Sequence, residues 1–585
     1  MPTSLVSGNS LLAIDVGASN TRAVMFDVIE GEYRFVASGV APSTAEAPFK
    51  DVSEGARDAI ANLQRILGKT LLDANRDLIV PSQANGSGVD ALVVTLSAGP
   101  AIKTVVLGLL KDVSLDSARR LTESTYARIS DTISLNDARK SDQQIDSLLR
   151  IRPDLLIIAG GTDGGASRSI QKLLEPVGLA SYLMPKDKRP TVLYAGNEKM
   201  QAEVKSLVSA HIPALHFSPN IRPSLETEDT DPAERELAQI IINLRKKQLK
   251  GVDTLNTWSG GHMLPTAYAT GRMVRFLSKV YGSQKGLLSV DLGASAVTIA
   301  AGFKDRSILK VLPQFGIGEN LSALLNHTTL EDILRWSPLD ISTGVLRDYL
   351  FHKSLYPSAI AATKEDFAIA QAVAREALYL AMQTARRDFP QNIRKIKPTL
   401  VPLFDPILAG GSALSDASRP GQGLLLLLDS IQPVGVTTVI LDQNNLLPLL
   451  GAAASQNNIL PVQVLDTGAF LSAGTVVSPV VSAKYGASIL RAKLVYENGV
   501  EAQVDLKYGS LETLPLAIGE TGKLTVQCLH GADIGFGPGR GGILPVSGGA
   551  LGVVFDGRGR PLDLPSDPVR RREILKKWNW TLGGG

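Results

Sequence analysis

The sequence contains little of what disulfide scaffolds and metal clusters require. Cys528 is the only cysteine among the 585 residues, so a disulfide within the chain is impossible and a cysteine-rich zinc site is excluded. The six histidines are scattered, with no H-x-x-x-H pair, and a histidine metal site is therefore not expected. The net charge is only +3 and no long basic block is present, so the sequence does not predict nucleic-acid binding.

Long apolar runs and a signal peptide are also missing. The longest apolar stretch, near Leu424–Leu428, is far shorter than the about 20 residues that a membrane-spanning helix needs. The first ten residues, MPTSLVSGNS, have neither a basic start nor an apolar core. We therefore expect a cytoplasmic protein that does not contact membranes. With 44% hydrophobic and 20% charged residues, the composition is typical of a globular chain, here of about three or four domains.

A short motif near the N-terminus, Leu11–Asp27 (LLAIDVGASNTRAVMFD), predicts a β-hairpin with a tight loop of small residues. The candidate binding residues of this loop are Gly17, Ala18, Ser19, Asn20 and Thr21. Gly17 allows a close backbone approach, and the N–H groups that follow can point at an anion. Asp15, at the end of the first strand, can hold a metal-bound water because hard cations prefer oxygen ligands.

The same motif occurs a second time. Leu287–Ala300 reads LLSVDLGASAVTIA, and six of its first nine residues are identical to the first copy at an offset of 276. This copy places Gly293, Ala294 and Ser295 in a second loop after Asp291. A repeat this long is not a solenoid period and predicts two domains of one design, with their loops facing each other. Asp291 could alternatively be a purely structural residue at a strand end.

With two such loops, the chain resembles the actin-like ATPase superfamily of actin, heat-shock chaperones and sugar kinases. That superfamily adds a glycine-rich adenosine loop, and Pro406–Leu414 (PILAGGSAL) looks like it. Here Gly410, Gly411 and Ser412 would contact the nucleotide, since missing side chains let a base or ribose lie against the backbone. The resemblance implies ATP and Mg as cofactors, with Asp15 and Asp291 as catalytic residues that hold Mg through water.

Apolar strands alternate with amphipathic helices between Ala91 and Asn220, which predicts a small parallel-sheet domain inserted between the two halves. One predicted helix lies near Leu115–Ile129. The glycine-rich stretch Ala159–Ala166 (AGGTDGGA) either cradles an anion at a helix start or forms a tight strand-to-helix turn. Arg235–Leu249 is interpreted as a charged helix whose basic C-terminal end is solvated.

Three stretches in this region carry a closer resemblance: Leu96–Leu110, Leu156–Ala166 and Leu193–Asn197. They look like hallmarks of the glutamate mutase accessory family of MutL type, which is unrelated to the mismatch-repair protein of that name. The resemblance covers roughly residues 10–460. It implies an actin-like nucleotide fold and a helper role for a cobalamin-dependent mutase. The loop at Ser97–Pro100 departs from the family pattern, which usually reads A-G-G there.

After about residue 475 the pattern alternates with period two and has an Asn498-Gly499 turn, which predicts an all-β barrel or sandwich that serves as an interaction module. Arg558 and Arg560 occupy a Gly-Arg-Gly-Arg turn that could hold an anion, although we interpret it as solvated. A basic helix, Asp567–Trp580, is expected to be capped by Ser566 and to face an acidic partner.

The predicted fold is thus α/β: a duplicated actin-like (ribonuclease H-like) ATPase core with an inserted parallel α/β domain and a C-terminal β domain. The predicted domains are 1–90, 91–250, 251–475 and 476–585. Three functions remain open: an ATP-binding accessory or chaperone-like factor of a glutamate mutase-type system, a self-assembling actin-like filament or tube, and a small-molecule kinase. A weak ATPase activity, a mutase partner and a homo-oligomer formed through the C-terminal domain are compatible with the first two.

Overall fold

The computed structural model describes residues 9–583 except 166, 210, 213, 282–284, 305, 391–392, 416 and 418. Its strands are, in chain order, β1 (Leu11–Val16), β2 (Asn20–Ile29), β3 (Glu32–Pro42), β4 (Ala91–Leu96), β5 (Ile102–Gly108), β6 (Ala127–Ser134), β7 (Leu155–Ala159), β8 (Thr191–Tyr194), β9 (Ala214–Phe217), β10 (Met263–Pro265), β11 (Gly286–Leu292), β12 (Val297–Phe303), β13 (Arg306–Leu312), β14 (Phe404–Gly410), β15 (Gly435–Leu441), β16 (Leu471–Ser478), β17 (Ser488–Tyr496), β18 (Glu501–Lys507), β19 (Leu511–Leu514), β20 (Thr521–Cys528), β21 (Gly542–Ser547) and β22 (Val553–Asp556).

The helices of the same ranges are α1 (Val52–Leu67), α2 (Asp116–Thr122), α3 (Ser141–Ile151), α4 (Ser167–Leu183), α5 (Gln201–Val208), α6 (Asp231–Gln248), α7 (Val252–Trp258), α8 (Thr266–Tyr281), α9 (Leu330–Leu334), α10 (Thr343–Leu355), α11 (Lys364–Ala385), α12 (Ser412–Ser415), α13 (Pro420–Ser430), α14 (Leu446–Ala453), α15 (Ile459–Asp466) and α16 (Pro568–Thr581). Within the described residues, no helix is both long and apolar enough to cross a lipid bilayer.

The first sheet has the strand order β10-β4-β1-β2-β3. β1 pairs antiparallel with β2, which confirms the hairpin predicted within residues 11–27, and β2 also pairs antiparallel with β3. β1 also pairs in parallel with β4, and every residue of β1 is buried, as expected for a strand covered on both faces. Helix α1 packs on this sheet and ends at Leu67, where Gly68 adopts a left-handed cap with φ of 66°.

The second sheet begins with the order β13-β12-β11-β14-β15. β11 pairs antiparallel with β12 and in parallel with β14, so these five strands have the same order and directions as the first sheet. Asp15 pairs with Thr95 on its parallel neighbour, and Asp291 pairs with Gly410 on its own. The two aspartates therefore occupy equivalent positions at the ends of equivalent strands.

Helices α8 and α14 cross between the two sheets. Apolar side chains from both sheets and both helices form one continuous core that includes Val93, Val274, Leu287, Leu408 and Leu449. The helices approach closely at Gly451, where an added Cβ would lie 2.1 Å from the carbonyl oxygen of Ala269. This contact requires glycine, and it fixes the distance between the two sheets next to their strand ends.

The insert (residues 102–248) contains a parallel sheet of order β6-β5-β7-β8-β9, which confirms the parallel strands predicted there. It differs from the prediction in two places. The strand Ala91–Leu96, predicted to open the insert, pairs with β1 and belongs to the first sheet. The helix predicted near Leu115–Ile129 ends at Thr122, and Ala127–Ser134 is a strand beside β5, because its side chains alternate between buried and exposed.

The C-terminal segment is built onto the second sheet. β16 pairs antiparallel with β15 and in parallel with β22, and β19 forms the sheet edge beyond β22. The predicted boundary near residue 475 therefore falls inside this sheet. The other C-terminal strands form a four-stranded sheet, β18-β17-β20-β21. Helix α16 is capped by Asp567 and not by Ser566, since the Asp567 side chain accepts from the backbone N–H of Arg570.

Arg558 and Arg560 are buried, so the interpretation of their turn as solvated is wrong. The guanidinium of Arg558 donates to Asp556 at 2.9 Å and to Asp429 at 2.6 Å. Arg560 donates to the other oxygen of Asp556 at 2.6 Å. These charges are stable inside the protein because each one is paired and hydrogen-bonded. The turn ties the C-terminal segment to α13, which carries Asp429.

Candidate functional site

The two predicted loops line one cleft between the two sheets. Predicted residues that form its walls are Asp15, Gly17, Ala18, Ser19, Asn20, Asp291, Gly293, Ala294, Ser295, Gly411 and Ser412. The walls also include Arg22, Ser97, Tyr126, Thr266 and Asn445. The cleft encloses about 680 Å³, its open mouth included. Thr21 is buried below the first loop, and Gly410 faces a smaller space on the other side of Asp291.

Each loop closes in the same way. The N–H of Gly17 donates to the carbonyl of Asn20 at 3.0 Å, and the N–H of Gly293 donates to the carbonyl of Ala296 at 3.1 Å. A Cβ at Gly17 would lie 2.8 Å from the Asn20 oxygen, so the turn requires glycine there. Loops of this kind expose successive backbone N–H groups to a bound anion.

The second loop is supported by the turn at residues 316–318, which lies within the segment QFGIGEN (residues 314–320). The N–H groups of Ile317 and Gly318 donate to the carbonyls of Gly293 and Ala294 at 3.2 and 2.9 Å. A Cβ on Gly318 would lie 2.8 Å from the Cβ of Ala294. The glycine spacing of QFGIGEN is the signal that identifies this support, because only a backbone without side chains can approach so closely.

Asp15 is held by three side chains from three separate segments. The hydroxyls of Thr95 and Thr266 donate to one carboxylate oxygen at 2.6 and 3.0 Å, and the amide of Asn445 donates to the other at 2.7 Å. Burial raises the pKa of Asp15, while these hydrogen bonds and the charge of Arg22 oppose the rise. Sequence reasoning missed all three partners, since none of them lies in a recognisable motif.

Asp291 has a different environment, although it occupies the equivalent position. Within the described residues its carboxylate accepts no hydrogen bond. Burial, followed by the charges of Asp15 and Asp442, raises its pKa to about 7. The neighbouring Gly411 has a φ of 96°, and a Cβ there would lie 2.4 Å from Asp291 Oδ1. Of the two cleft carboxylates, Asp291 is thus the one whose negative charge is not compensated by hydrogen bonds from the described residues. It is also the one more open to a ligand.

The raised pKa of Asp291 predicts a pH-dependent stability. The folded protein holds a proton on Asp291 at a pH where the unfolded chain does not, so stability falls as pH rises from about 4 to 7. We expect Asp291→Asn to remove this loss. Each pKa unit is worth about 1.4 kcal/mol and partial exposure screens the effect, so the variant should be about 2 kcal/mol more stable at pH 8.

Urea unfolding of wild type and Asp291→Asn at pH 4.5 and pH 8 measures this effect. The two proteins should differ little at the lower pH and clearly at the higher one. Asp187→Asn is the matched control, because the Asp187 side chain is 74% exposed and its replacement should leave stability unchanged. A variant that is less stable than wild type at pH 8 would show that the Asp291 carboxylate is stabilised in the fold.

Two further predicted features have structural roles. The glycine turn after β7 is bonded to the protein: Asn220 Nδ2 donates to Gly161 O at 2.9 Å, and Asn197 Nδ2 donates to Gly165 O at 2.8 Å. This is the tight strand-to-helix turn; Ala166 lies outside the described residues. Arg245, expected at a solvated helix end, is buried and donates to the carbonyl of Pro100. Burial lowers the pKa of Arg245 to about 10.

Comparison with known proteins gives a family match over most of the chain. The family model described as MutL protein matches residues 11–468. The chain is also similar to Protein MutL of Clostridium tetanomorphum, with 23% identity over 206 residues. That match covers 35% of this chain and only 42% of the curated relative.

The solved structures to which the chain is distantly similar include the following three proteins. A diol dehydratase-reactivating factor in nucleotide-free form has 10% identity and a TM-score of 0.30, with 78% of this chain and 99% of that chain covered. A nucleotide-free acetone carboxylase has 11% identity and a TM-score of 0.30, with coverages of 85% and 81%. A glycerol dehydratase reactivase has 12% identity and a TM-score of 0.26, with coverages of 72% and 95%.

Proposed function

This chain belongs to the MutL protein family, and from that premise we propose that it is an actin-like ATP-binding accessory factor of a cobalamin-dependent, glutamate mutase-type enzyme. ATP would lie in the cleft between the two loops, with its base against Gly411 and Ser412, the part of the predicted adenosine loop that lines the cleft. The observation that carries the proposal is the pair of equivalent strand ends, at Asp15 and Asp291, that line one cleft. The repeated strand order of the two sheets supports an actin-like arrangement.

The donor set of the cleft fits Mg bound together with a nucleotide. In the described part of the chain, no group of three or more His, Cys, Asp or Glu residues is placed to hold a metal ion, whereas Asp15 and Asp291 line the cleft. Mg commonly keeps several waters and is bound by one or two carboxylates and the phosphates of its nucleotide. When bound, Mg would neutralise phosphate charge, and Asp291 would orient a water on it.

The backbone of the loops would carry the rest of the phosphate binding. The N–H groups of Ala18–Thr21 and Ala294–Ala296 would donate to phosphate oxygens, in place of a lysine that neither loop contains. Positioning and electrostatics of this kind can support a weak ATPase activity. Arg22, which donates to the carbonyl of Gln443 at 2.9 Å, adds one positive charge at the edge of the cleft.

We expect Mg-ATP to stabilise the protein. At roughly 100 times its dissociation constant, a ligand that binds only the folded state adds about 2.7 kcal/mol. Ser295→Glu should abolish this gain, because it places a negative charge in the second loop where phosphate would bind. Thermal unfolding with ATP, ADP and no nucleotide, each with Mg, measures the effect.

Ser130→Glu is the matched control, because Ser130 is exposed on the insert, away from the cleft residues. It should keep the full stabilisation by Mg-ATP. An unchanged melting temperature of the wild type with every nucleotide would contradict the proposal. Gly411 is unsuitable for such a test, since a side chain there would collide with Asp291 and Leu292 and disturb the fold itself.

A mutase partner is the second part of the proposal. It rests on the family, whose members the sequence resembles in residues 96–197, and it would be tested by co-purification with a cobalamin-dependent mutase of the same organism. Self-assembly into a filament through the C-terminal segment remains a weaker alternative, to be tested by light scattering with and without ATP. A phosphotransfer screen would address the third alternative, a small-molecule kinase.

A further inference from the structure

A turn of the insert reaches into the candidate cleft. It joins α2 to β6, and its last residue, Tyr126, lines the cleft together with Asp15 and Asp291. The tyrosine ring is 5% exposed and packs with Ala267 at the start of α8 and with Ala296 of the second loop. The insert therefore supplies a side chain to a site otherwise built from the two matched sheets.

The hydroxyl of Tyr126 is protonated in the folded protein. Burial raises its pKa most, and the charges of Asp291 and Asp15 raise it further, so the hydroxyl keeps its proton at neutral pH. Hydrogen bonding to the backbone of Ala267 and to the side chain of Thr298 opposes this rise. A protonated tyrosine hydroxyl has one O–H that can donate to an oxygen in the cleft.

The same turn is fixed to the second sheet. The N–H of Val311 donates to the carbonyl of Glu123 at 2.6 Å, and the Glu123 carboxylate pairs with Lys310 at 3.0 Å. Lys310 is itself buried and pairs with Asp388. Beside these contacts, Arg306 pairs with Glu228 across the gap between the insert and the second sheet at 2.7 Å. The position of Tyr126 thus depends on how the insert sits on the second sheet.

Resting on the proposed nucleotide binding, we propose that Tyr126 is a positioning residue contributed by the insert, whose hydroxyl donates to an oxygen of the phosphate chain. The base would lie at Gly411 and Ser412, whereas Tyr126 packs with Ala296 and lines the cleft beside both carboxylates, where the phosphates would be. The contact makes the insert sensitive to whether phosphate occupies the cleft. Nucleotide binding and the position of the insert would then influence each other.

Tyr126→Phe tests this role, because it keeps the ring packing and removes only the hydroxyl. Removing a hydrogen bond to a charged group lowers affinity by about tenfold or more. We therefore expect the variant to bind Mg-ATP about tenfold more weakly in calorimetric titration. Tyr194→Phe is the matched control: Tyr194 is a buried tyrosine of the same insert, and its hydroxyl donates to the carbonyl of Asn197, away from the cleft.

Hydrogen exchange on the wild type gives a second readout that does not depend on any variant folding. Amides of residues 123–130 should gain protection when Mg-ATP binds, and this gain should shrink in Tyr126→Phe. The inference is overturned if Tyr126→Phe binds Mg-ATP as tightly as wild type, or if ATP binds without changing exchange in 123–130. If neither wild type nor Tyr194→Phe binds any nucleotide, the proposed function itself fails and the inference falls with it.

Discussion

Replacing Trp578 with alanine should cost about 3–5 kcal/mol of folding stability, the range expected when a large buried aromatic side chain is removed. Trp578 lies in the C-terminal helix α16 and is 4% exposed. Its indole N–H donates to the carbonyl of Gly509 at 3.1 Å, and Arg558 stacks on its ring at 4.7 Å from the centroid. The helix is therefore part of the core of the second sheet.

The neighbouring Trp580 provides the control, since it is 76% exposed on the same helix. Trp580→Ala should change the free energy of unfolding by less than about 0.5 kcal/mol. Urea denaturation followed by circular dichroism compares the two variants with wild type. Equal effects of the two substitutions would mean that α16 is not packed as described and that the C-terminal segment behaves as a separate appendage.

Replacing Asp556 with asparagine should also cost about 3–5 kcal/mol, because it removes the carboxylate that pairs with Arg560 and leaves Arg558 paired only with Asp429. Asp556 receives hydrogen bonds from both Arg558 and Arg560, and all three side chains are fully buried. These two charges hold the pKa of the Asp556 carboxyl well below its usual range, against the effect of burial. The carboxylate is thus ionised throughout the pH range in which the protein would be handled.

Asp563→Asn is the matched control, since Asp563 is exposed in the same segment. It should change stability by less than about 0.5 kcal/mol. The comparison uses chemical denaturation at pH 7 for both variants. If Asp556→Asn lowers the free energy of unfolding by no more than Asp563→Asn, the cluster is not buried as described and the turn is solvent-exposed.

The sequence was sufficient to locate the two loops, because their signal is local and occurs twice. Each loop combines an apolar strand, an aspartate and a run of small residues within a few positions, and the repeat strengthens a signal that is weak in either copy alone. The same holds for the hairpins that follow Asp15 and Asp291, where strand pairing is between neighbours in the chain.

What the sequence could not reveal depends on partners that are distant in the chain. Thr95, Thr266 and Asn445 converge on Asp15 from separate segments, and no spacing rule connects them. Arg558 resembled a solvated residue because its glycine-rich turn is polar, yet its partner Asp429 lies 129 residues away. For the same reason the sequence did not reveal that β16 pairs with β22. The domain boundary predicted near residue 475 therefore falls inside a sheet.

The most direct test of the account is an experimental structure of the full chain with Mg and a non-hydrolysable ATP analogue. The account predicts the phosphates between residues 17–20 and 293–296, the base against Gly411 and Ser412, and Asp291 facing the metal-bound phosphates. Clear density for the nucleotide outside this cleft would contradict it, and so would an empty cleft at a nucleotide concentration that saturates binding in solution.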